Sequence, residues 1–573
     1  MSRFSALRRI IPGVRFIPAG LGFALFSFFL LWNAFRISPV NDEYGHFYAG
    51  CLGWDTGRQD VFNVNPPVIR RIATLAHVFR PIPLGEIASQ KDRFEFDAGM
   101  QMHCRFPDRF ITNLRIGRML IAGFAIAGAW ILSRYARELG GPKAANVACL
   151  LWMFQPQVIA HGSLITSDIP VATAMLFVCW MLERAVANPS LPRLGVVGGA
   201  LGLAVSIKFT ALIMLPVILL ALAGQVGRTG LRTLIRGTFL VLVCPILLIG
   251  TVYGFQGFGR PLGSYVFVSG HFQAAAELLH GLSQFILVPL PEQFILGLDR
   301  QQLDFEMGLI SYAAGVTAHH GWWWFFPYSM AMKLPLGTIV ATGAAAALVT
   351  ARHSGLLAKL ALPLSMLVAI MLVLVLKDGI GQQTRYCFPA YPFLFLVVAT
   401  ASVRQAAAKE TMFSLWGRRM IIAGTLVTVV STCWIAPRWM SSFNVIAGGC
   451  ENGYKTLFND ASDWGQDTFA IEKWISDHPK CAPLYIRSHV SGTILCCQGS
   501  FSQLQVVYGA NPPSVRPGNT ACWFIVSKSD LVLSAKLMAS LKRHQLVAHI
   551  GGTHFVYRIH RTHALEEENG RAM

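Results

Sequence analysis

The sequence predicts a mainly α-helical, polytopic membrane protein of about 11 transmembrane helices, with a small external α/β domain at its C-terminal end. Three observations carry this. Of 573 residues, 54% are hydrophobic and only 13% charged, with mean hydropathy +0.49; a soluble chain carries roughly a quarter charged residues. Apolar runs recur at lengths near the roughly 20 residues that a helix needs to cross a bilayer. Basic clusters recur between alternate runs, where the positive-inside rule puts the cytoplasm.

The first run, 16–35, is longer than the apolar part of a signal peptide, and no small-residue cleavage site follows it. It reads as a retained anchor. Arg3, Arg8, Arg9 and Arg15 precede it and place the N-terminus in the cytoplasm. Further spans are expected at 115–133, 143–160, 168–186, 192–207, 209–226, 237–254, 328–350, 359–376, 387–403 and 419–437. Basic residues such as Arg134, Arg184, Arg232, Arg352, Lys359, Lys409 and Arg418 fall on the cytoplasmic side of this alternation, and the odd count puts the C-terminus outside. The same rule accounts for the net charge of +19. No basic patch interleaved with aromatics lies outside these loops, so nucleic acid is not an expected partner.

The expected organisation is a transmembrane module over 1–437, with long external segments at about 36–114 and 255–327, and an external α/β domain over 438–573. Loops of such length usually carry function. In the C-terminal domain Ile471, Trp474 and Ile475 lie on one stripe of a helix near Thr468–His478. Strands are expected at Leu484–Ile486, Cys522–Val526 and Leu546–Ile559, the last folded into a hairpin at Gly551-Gly552. Cys149, Cys179, Cys244 and Cys433 fall in spans. Cys51, Cys104, Cys450, Cys481, Cys496, Cys497 and Cys522 are external, where an oxidising compartment permits disulfides of undetermined pairing. No zinc-type spacing occurs.

Candidate chemistry gathers at the external mouths of the spans. Asp42 and Glu43, in Asn41-Asp-Glu-Tyr-Gly-His46, are two carboxylates beside lipid, costly unless used or paired. His46 lies one turn beyond Asp42, so the two can share a face suited to deprotonating a hydroxyl. The structural alternative is a short interfacial helix with acids at its N-terminus. Asn65-Pro66-Pro67 reads as a rigid turn into a helix. In the hairpin His161–Pro170, helix capping competes with function for Asp168, while His161 has no capping role. Lys208, Lys333, Lys377 and Arg385 are cations on the external side, where positive charge is not expected. Snorkelling to headgroups is one explanation; the other is a basic cluster holding a phosphate, with Arg385 and Tyr386 the best candidates. The aromatic run Trp322–Pro327 reads as an interfacial belt, and Asp460–Asp467 as ordinary helix-start grammar. The absence of a Walker loop, a dinucleotide turn and a nucleophile elbow favours a lipid-borne over a soluble nucleotide donor.

These segments resemble the GT-C superfamily, and within it the dolichyl-phosphate-mannose-protein mannosyltransferase and lipid A aminoarabinose transferase relatives. The resemblance runs in order through Asp42-Glu43, Asn65-Pro66-Pro67, Tyr135–Met181, Lys208-Phe-Thr, Lys333-Leu-Pro, Arg385-Tyr-Cys-Phe-Pro389 and Pro437–Asp467. It implies a glycosyltransferase that takes a monosaccharide from a polyprenyl-phosphate donor by inverting displacement at the periplasmic face. Asp42 would be the catalytic acid/base, with Glu43 assisting it or binding the acceptor or a metal. Arg385 and one or more lysines would neutralise the departing phosphate. Protein, lipid or glycan acceptors all fit, and a divalent cation is left open because the requirement varies across the superfamily. Asn65 stands where the family has His, and His46 where the aminoarabinose transferases have Arg, so their carrier contacts do not transfer. Two rivals remain: a transporter or flippase of lipid-linked sugars, and a non-catalytic assembly protein. The chain shows neither the repeats nor the midplane polar sites of a transporter, and an assembly protein would tolerate loss of the Asp42 charge.

Overall fold

The computed structural model describes residues 19–85, 93–279, 281–308, 310–351, 354–376, 383–404, 411–457, 462–488, 504–507, 512–513, 515 and 521–560. Arg3, Arg8, Arg9, Arg15, Arg352, Lys377, Lys409, Asp460, Cys496 and Cys497 lie outside the described residues.

Each predicted span coincides with helical structure, but the helices differ in length and continuity. Among the described residues four are individually long and apolar enough to cross a membrane: Pro107–Met153, Asp168–Ala187, Leu231–Val252 and Met412–Trp434. The number rises to six if Gly20–Arg36 with Asn41–Thr56, bent by 86°, and Phe325–Lys333 with Leu336–Ala351, bent by 119°, each form one broken span. Leu191–Ile207, Phe209–Ala223 and Ala361–Leu376 are shorter apolar helices. The expected pair at 115–133 and 143–160 merges into Pro107–Met153, yet Gly141 interrupts it at φ 78° and ψ −170°. Pro142 follows and cannot donate to the helical ladder, so the break sits where the sequence placed a loop.

The long segment after the first predicted span folds back on the apolar helices. Helix Asn41–Thr56 is buried from Glu43 to Gly53. Phe94–Arg105 crosses it so closely that a Cβ on Gly99 would stand 2.3 Å from the Tyr44 carbonyl oxygen. Likewise a Cβ on Gly117 would meet the Ala73 carbonyl at 2.3 Å, seating helix Val68–Ala73 on Pro107–Met153. These glycine contacts fix the first loop to the transmembrane bundle and so fix where Asp42 points.

Downstream of the last span the chain does not leave the bundle at once. Trp439 is buried against Phe29 and Trp32, and the Asn444 amide donates to the carbonyls of Ala331 and Leu334. The bundle's apolar core continues to Trp464. Beyond it comes the α/β unit. Helix Thr468–Asp477 precedes a five-stranded sheet of β3 (Leu484–Arg487), β4 (Leu504–Val506), β5 (Ala521–Ser527), β6 (Gln545–Ile550) and β7 (His554–His560), the separate hairpin β1 (Ser311–Ala313) and β2 (Val316–Ala318) lying earlier in the chain. The sheet order is β4-β3-β5-β7-β6, with β3 parallel to both neighbours and β7 antiparallel to both of its own. The period-2 alternation of β5 sends Cys522, Phe524 and Val526 into one small core and Ile525 into another, facing Ile471 and Ile475. The helices Lys528–Leu533 and Ala535–Leu541, which cover the first of these cores, were not expected from the sequence. Cys51, Cys450, Cys481 and Cys522 are free thiols.

Candidate active site

Asp42, His46, Asp168, Lys208, Arg385 and Tyr386 line one cavity of about 450 Å³ at the mouth of the bundle. They come from four stretches of chain far apart in sequence. Asp42 and His46 lie on the first turns of Asn41–Thr56, one helical turn apart. Asp168 opens helix Asp168–Ala187, Lys208 ends Leu191–Ile207, and Arg385 and Tyr386 lie on the 3-10 turn Thr384–Ala390.

The charges interlock. The Arg385 guanidinium lies 2.9 Å from Asp42 Oδ2 and 3.7 Å from Asp168 Oδ2. Lys208 Nζ donates to Asp168 Oδ1 at 2.5 Å. The N-cap of this helix is Ser167, whose side chain makes no capping hydrogen bond; Asp168 is the first helical residue, and its carboxylate meets Lys208 and Arg385. It orients the two cations. Asp42 is the more open of the two acids, its side chain 21% exposed against 4% for Asp168. Lys208 also lies 5.0 Å from the centre of the Tyr386 ring, and the His46 ring packs edge-on against Phe62. The Ser167 hydroxyl donates to the Asn65 side-chain oxygen at 3.1 Å, tying the Asn-Pro-Pro turn to the hairpin that presents Asp168.

Three residues singled out from the sequence do not line this cavity. Glu43 is 0% exposed and faces the bundle interior. Its carboxylate accepts from Arg118 Nε at 2.8 Å and Nη2 at 2.5 Å, and from the backbone N–H groups of Val40 and Ile165. Adjacent helical positions point about 100° apart, so the neighbour of a cavity-facing Asp42 turns inward. His161 is buried between Phe388 and Trp464. Both of its ring nitrogens lack a hydrogen-bond partner among the described residues. Lys333 donates to the Met440 carbonyl at 3.0 Å and lies 4.1 Å from the centre of the Phe443 ring. It therefore binds the chain segment that follows the last span.

The cavity also uses residues that sequence reasoning passed over: Arg93, Arg300 and Asp304. Arg93 pairs with Asp304 at 2.9 Å and with Glu95, and its guanidinium lies over Phe62 and Phe96. Its φ of 56° is a left-handed conformation that a non-glycine residue adopts only when held. One signal was present: Arg93 and Arg300 are basic residues in segments that the sequence topology expects to be external, where the positive-inside rule does not ask for them. No group of three or more His, Cys, Asp or Glu side chains converges in metal-binding fashion among the described residues.

Residues 110–253 match the family model described as dolichyl-phosphate-mannose-protein mannosyltransferase. A search of curated proteins by sequence finds no match. Among solved structures the chain is similar to ArnT from Cupriavidus metallidurans bound to undecaprenyl phosphate, at 12% identity and a TM-score of 0.45, over 94% of this chain and 97% of that one. It is also similar to the oligosaccharyltransferase AglB from Archaeoglobus fulgidus in complex with an inhibitory peptide and a dolichol-phosphate. There the identity is 13% and the TM-score 0.43, over 88% of this chain and 61% of that one. The matched segment contains Asp168 and Lys208, and over it the mannosyltransferase-like resemblance drawn from the motifs is borne out.

Proposed function

We propose that the chain is a glycosyltransferase of the inner (plasma) membrane, N-terminus cytoplasmic and C-terminus external. It moves a monosaccharide from a polyprenyl-phosphate carrier to an acceptor hydroxyl on the periplasmic face, with inversion. The observation that carries this is the pairing of Asp42 with Arg385 and of Asp168 with Lys208 and Arg385 in one cavity. A cavity of about 450 Å³ falls within the usual range for a small-molecule site. The family match over 110–253 supports the reaction class.

Asp42, the more accessible carboxylate, takes the proton of the acceptor hydroxyl while the acceptor oxygen bonds to the anomeric carbon. The anomeric carbon–oxygen bond to phosphate breaks on the opposite face, and its electron pair leaves with the polyprenyl phosphate. Arg385 and Lys208 meet the charge that develops there, in surroundings dry enough to strengthen the attraction. Arg385 is suited to this because its planar fork can grip two phosphate oxygens together. The Asp42–Arg385 pair is then the resting arrangement: as the donor phosphate draws the guanidinium, the carboxylate is released to act as base. The cation-paired acids lack a third ligand for a metal among the described residues.

The test is transfer by the reconstituted protein from a panel of labelled polyprenyl-phosphate sugars, with envelope extract as acceptor. Asp42→Asn is expected to lose about 100-fold or more. An equally active Asn variant overturns the base assignment. A wild type that transfers no sugar from any donor overturns the enzyme reading, and lipid-linked sugar flipping becomes the assay.

A further inference from the structure

We infer that Trp464, in the segment entering the C-terminal α/β unit, is a positioning residue for Arg385, and that this unit thereby sets the geometry of the cavity. The inference rests on the reading of the cavity as a lipid-phosphate glycosyltransferase site. From sequence alone Asp460–Asp467 reads as helix grammar. In the folded chain Trp464 meets Arg385, and its neighbours bond the residues that lead into Asp42.

The Trp464 ring is buried, and its centre lies 4.3 Å from the Arg385 guanidinium carbon. A guanidinium presents donors around its edge and two flat faces. Here the carboxylates of Asp42 and Asp168 lie within ion-pair distance of its nitrogens, while the guanidinium carbon sits over the indole ring. Held between two carboxylates and an indole, the fork is restricted in where it can point. The same segment clamps the chain leading into Asp42. The Asn41 N–H donates to the Trp464 carbonyl at 3.2 Å, and the Ser38 N–H to the Gln466 carbonyl at 3.1 Å. The Ser38 hydroxyl donates to the Gly465 carbonyl at 2.8 Å and accepts from the Thr468 N–H at 2.8 Å.

At its far end the segment is held by the sheet. Asp467 Oδ2 accepts from the Gly552 N–H at 2.7 Å and from the Thr553 hydroxyl at 3.0 Å, both in the β6–β7 turn. The turn closes so tightly on this carboxylate that a Cβ on Gly551, itself at φ 57°, would stand 2.2 Å from it. A continuous path of short contacts thus runs from the β6–β7 turn through Asp467 and Trp464 to Arg385 and Asp42.

The experiment uses the full-length reconstituted protein and separates kcat from KM for the polyprenyl-phosphate sugar. Trp464→Phe keeps an aromatic face and is expected to stay within about threefold of wild type. Trp464→Leu is expected to lose about tenfold in kcat with little change in KM, because the aligned charge matters most as the phosphate departs. Ser38→Ala removes two clamp hydrogen bonds without touching either side chain, and is expected to lower kcat in the same direction by a smaller factor. It carries the test if the Leu variant fails to fold. A Leu variant with wild-type kcat overturns the inference, as does a Phe variant that falls as far as Leu. For Ser38→Ala, unchanged kcat overturns it. Should wild type transfer no sugar, the glycosyltransferase reading fails on its own, and binding of polyprenyl phosphate becomes the measurement. Weaker binding by about tenfold in Leu but not in Phe then supports the positioning role, and equal binding, or none by wild type, overturns it.

Discussion

Asp42 and Glu43 are neighbours in sequence, and the fold assigns them different work, which a stability measurement can separate from a rate measurement. The Glu43 carboxylate is fully enclosed and receives two donors from Arg118 and two from backbone N–H groups. Arg118 is itself 1% exposed, and its remaining donors go to the carbonyls of Ala34, Ile37 and Ser38 at 2.9 Å each. Ala34 is in the last turn of helix Ala19–Arg36, and Ile37 and Ser38 are in the bend before Asn41–Thr56, so the ion pair braces the corner that aims Asp42. Replacing Glu43 with Gln leaves a buried guanidinium without its counter-charge and turns an amide donor toward other donors. Breaking a buried pair from one side costs about 3–5 kcal/mol, a large share of the roughly 5–15 kcal/mol that holds a typical domain together. Arg118→Met should cost a similar amount, because it strands the carboxylate instead. The double variant should cost less than the sum of the two, since neither charge is then left alone. The assay is thermal or denaturant unfolding in detergent, with transfer rate expressed per folded molecule. A Glu43→Gln protein that unfolds like wild type but has lost its turnover would refute this account and return Glu43 to the chemistry.

Two further outcomes are expected. Asp168→Asn removes the anion that orients both Lys208 and Arg385; turnover should fall by about 100-fold, the usual scale for reacting groups misplaced by an ångström, while affinity for polyprenyl phosphate holds or rises. Parallel losses in rate and affinity would show that Asp168 does not act as an orienting counter-ion. Asp463, in the segment outside the spans, has its pKa raised to about 7 by burial, with Asp467 and Asp530 nearby adding to the shift, and its Oδ2 has no partner among the described residues. A raised carboxyl pKa means that the folded state holds the proton more tightly than the unfolded state. The associated stability is therefore complete below about pH 4 and is lost as pH rises towards 7. Asp463→Asn, neutral throughout, should gain on wild type across that window by an amount on the order of a few kcal/mol and run parallel to it above. Unfolding midpoints of the two proteins against pH check this, and a constant difference would refute it.

What the sequence revealed and what it withheld divides along a physical line. Asp42, His46, Lys208 and Arg385 were legible because charge beside lipid is expensive and a short periodicity relates Asp42 to His46. The strands of the C-terminal sheet were legible for a similar reason: a continuous apolar run such as Cys522-Trp-Phe524-Ile-Val526 is a local signal that burial on two sides leaves in the chain. Lys528–Leu533 and Ala535–Leu541 are too short to establish a helical stripe, so they left none. The buried partner of Glu43 was not legible because it lies 75 residues away, in an arginine inside a long helix where a cation looks like an ordinary end of a span. Trp464 is the same case at a greater distance. Nothing in Asp-Trp-Gly-Gln-Asp marks its indole as the neighbour of the Arg385 guanidinium, since that relation exists only once the segment after the last span folds back on the one after the first. Local energetic cost writes itself into sequence; a partner brought from far along the chain does not. The residues that such reasoning misses here are therefore those that join distant segments, and in this cavity they hold in place the groups that the sequence did reveal.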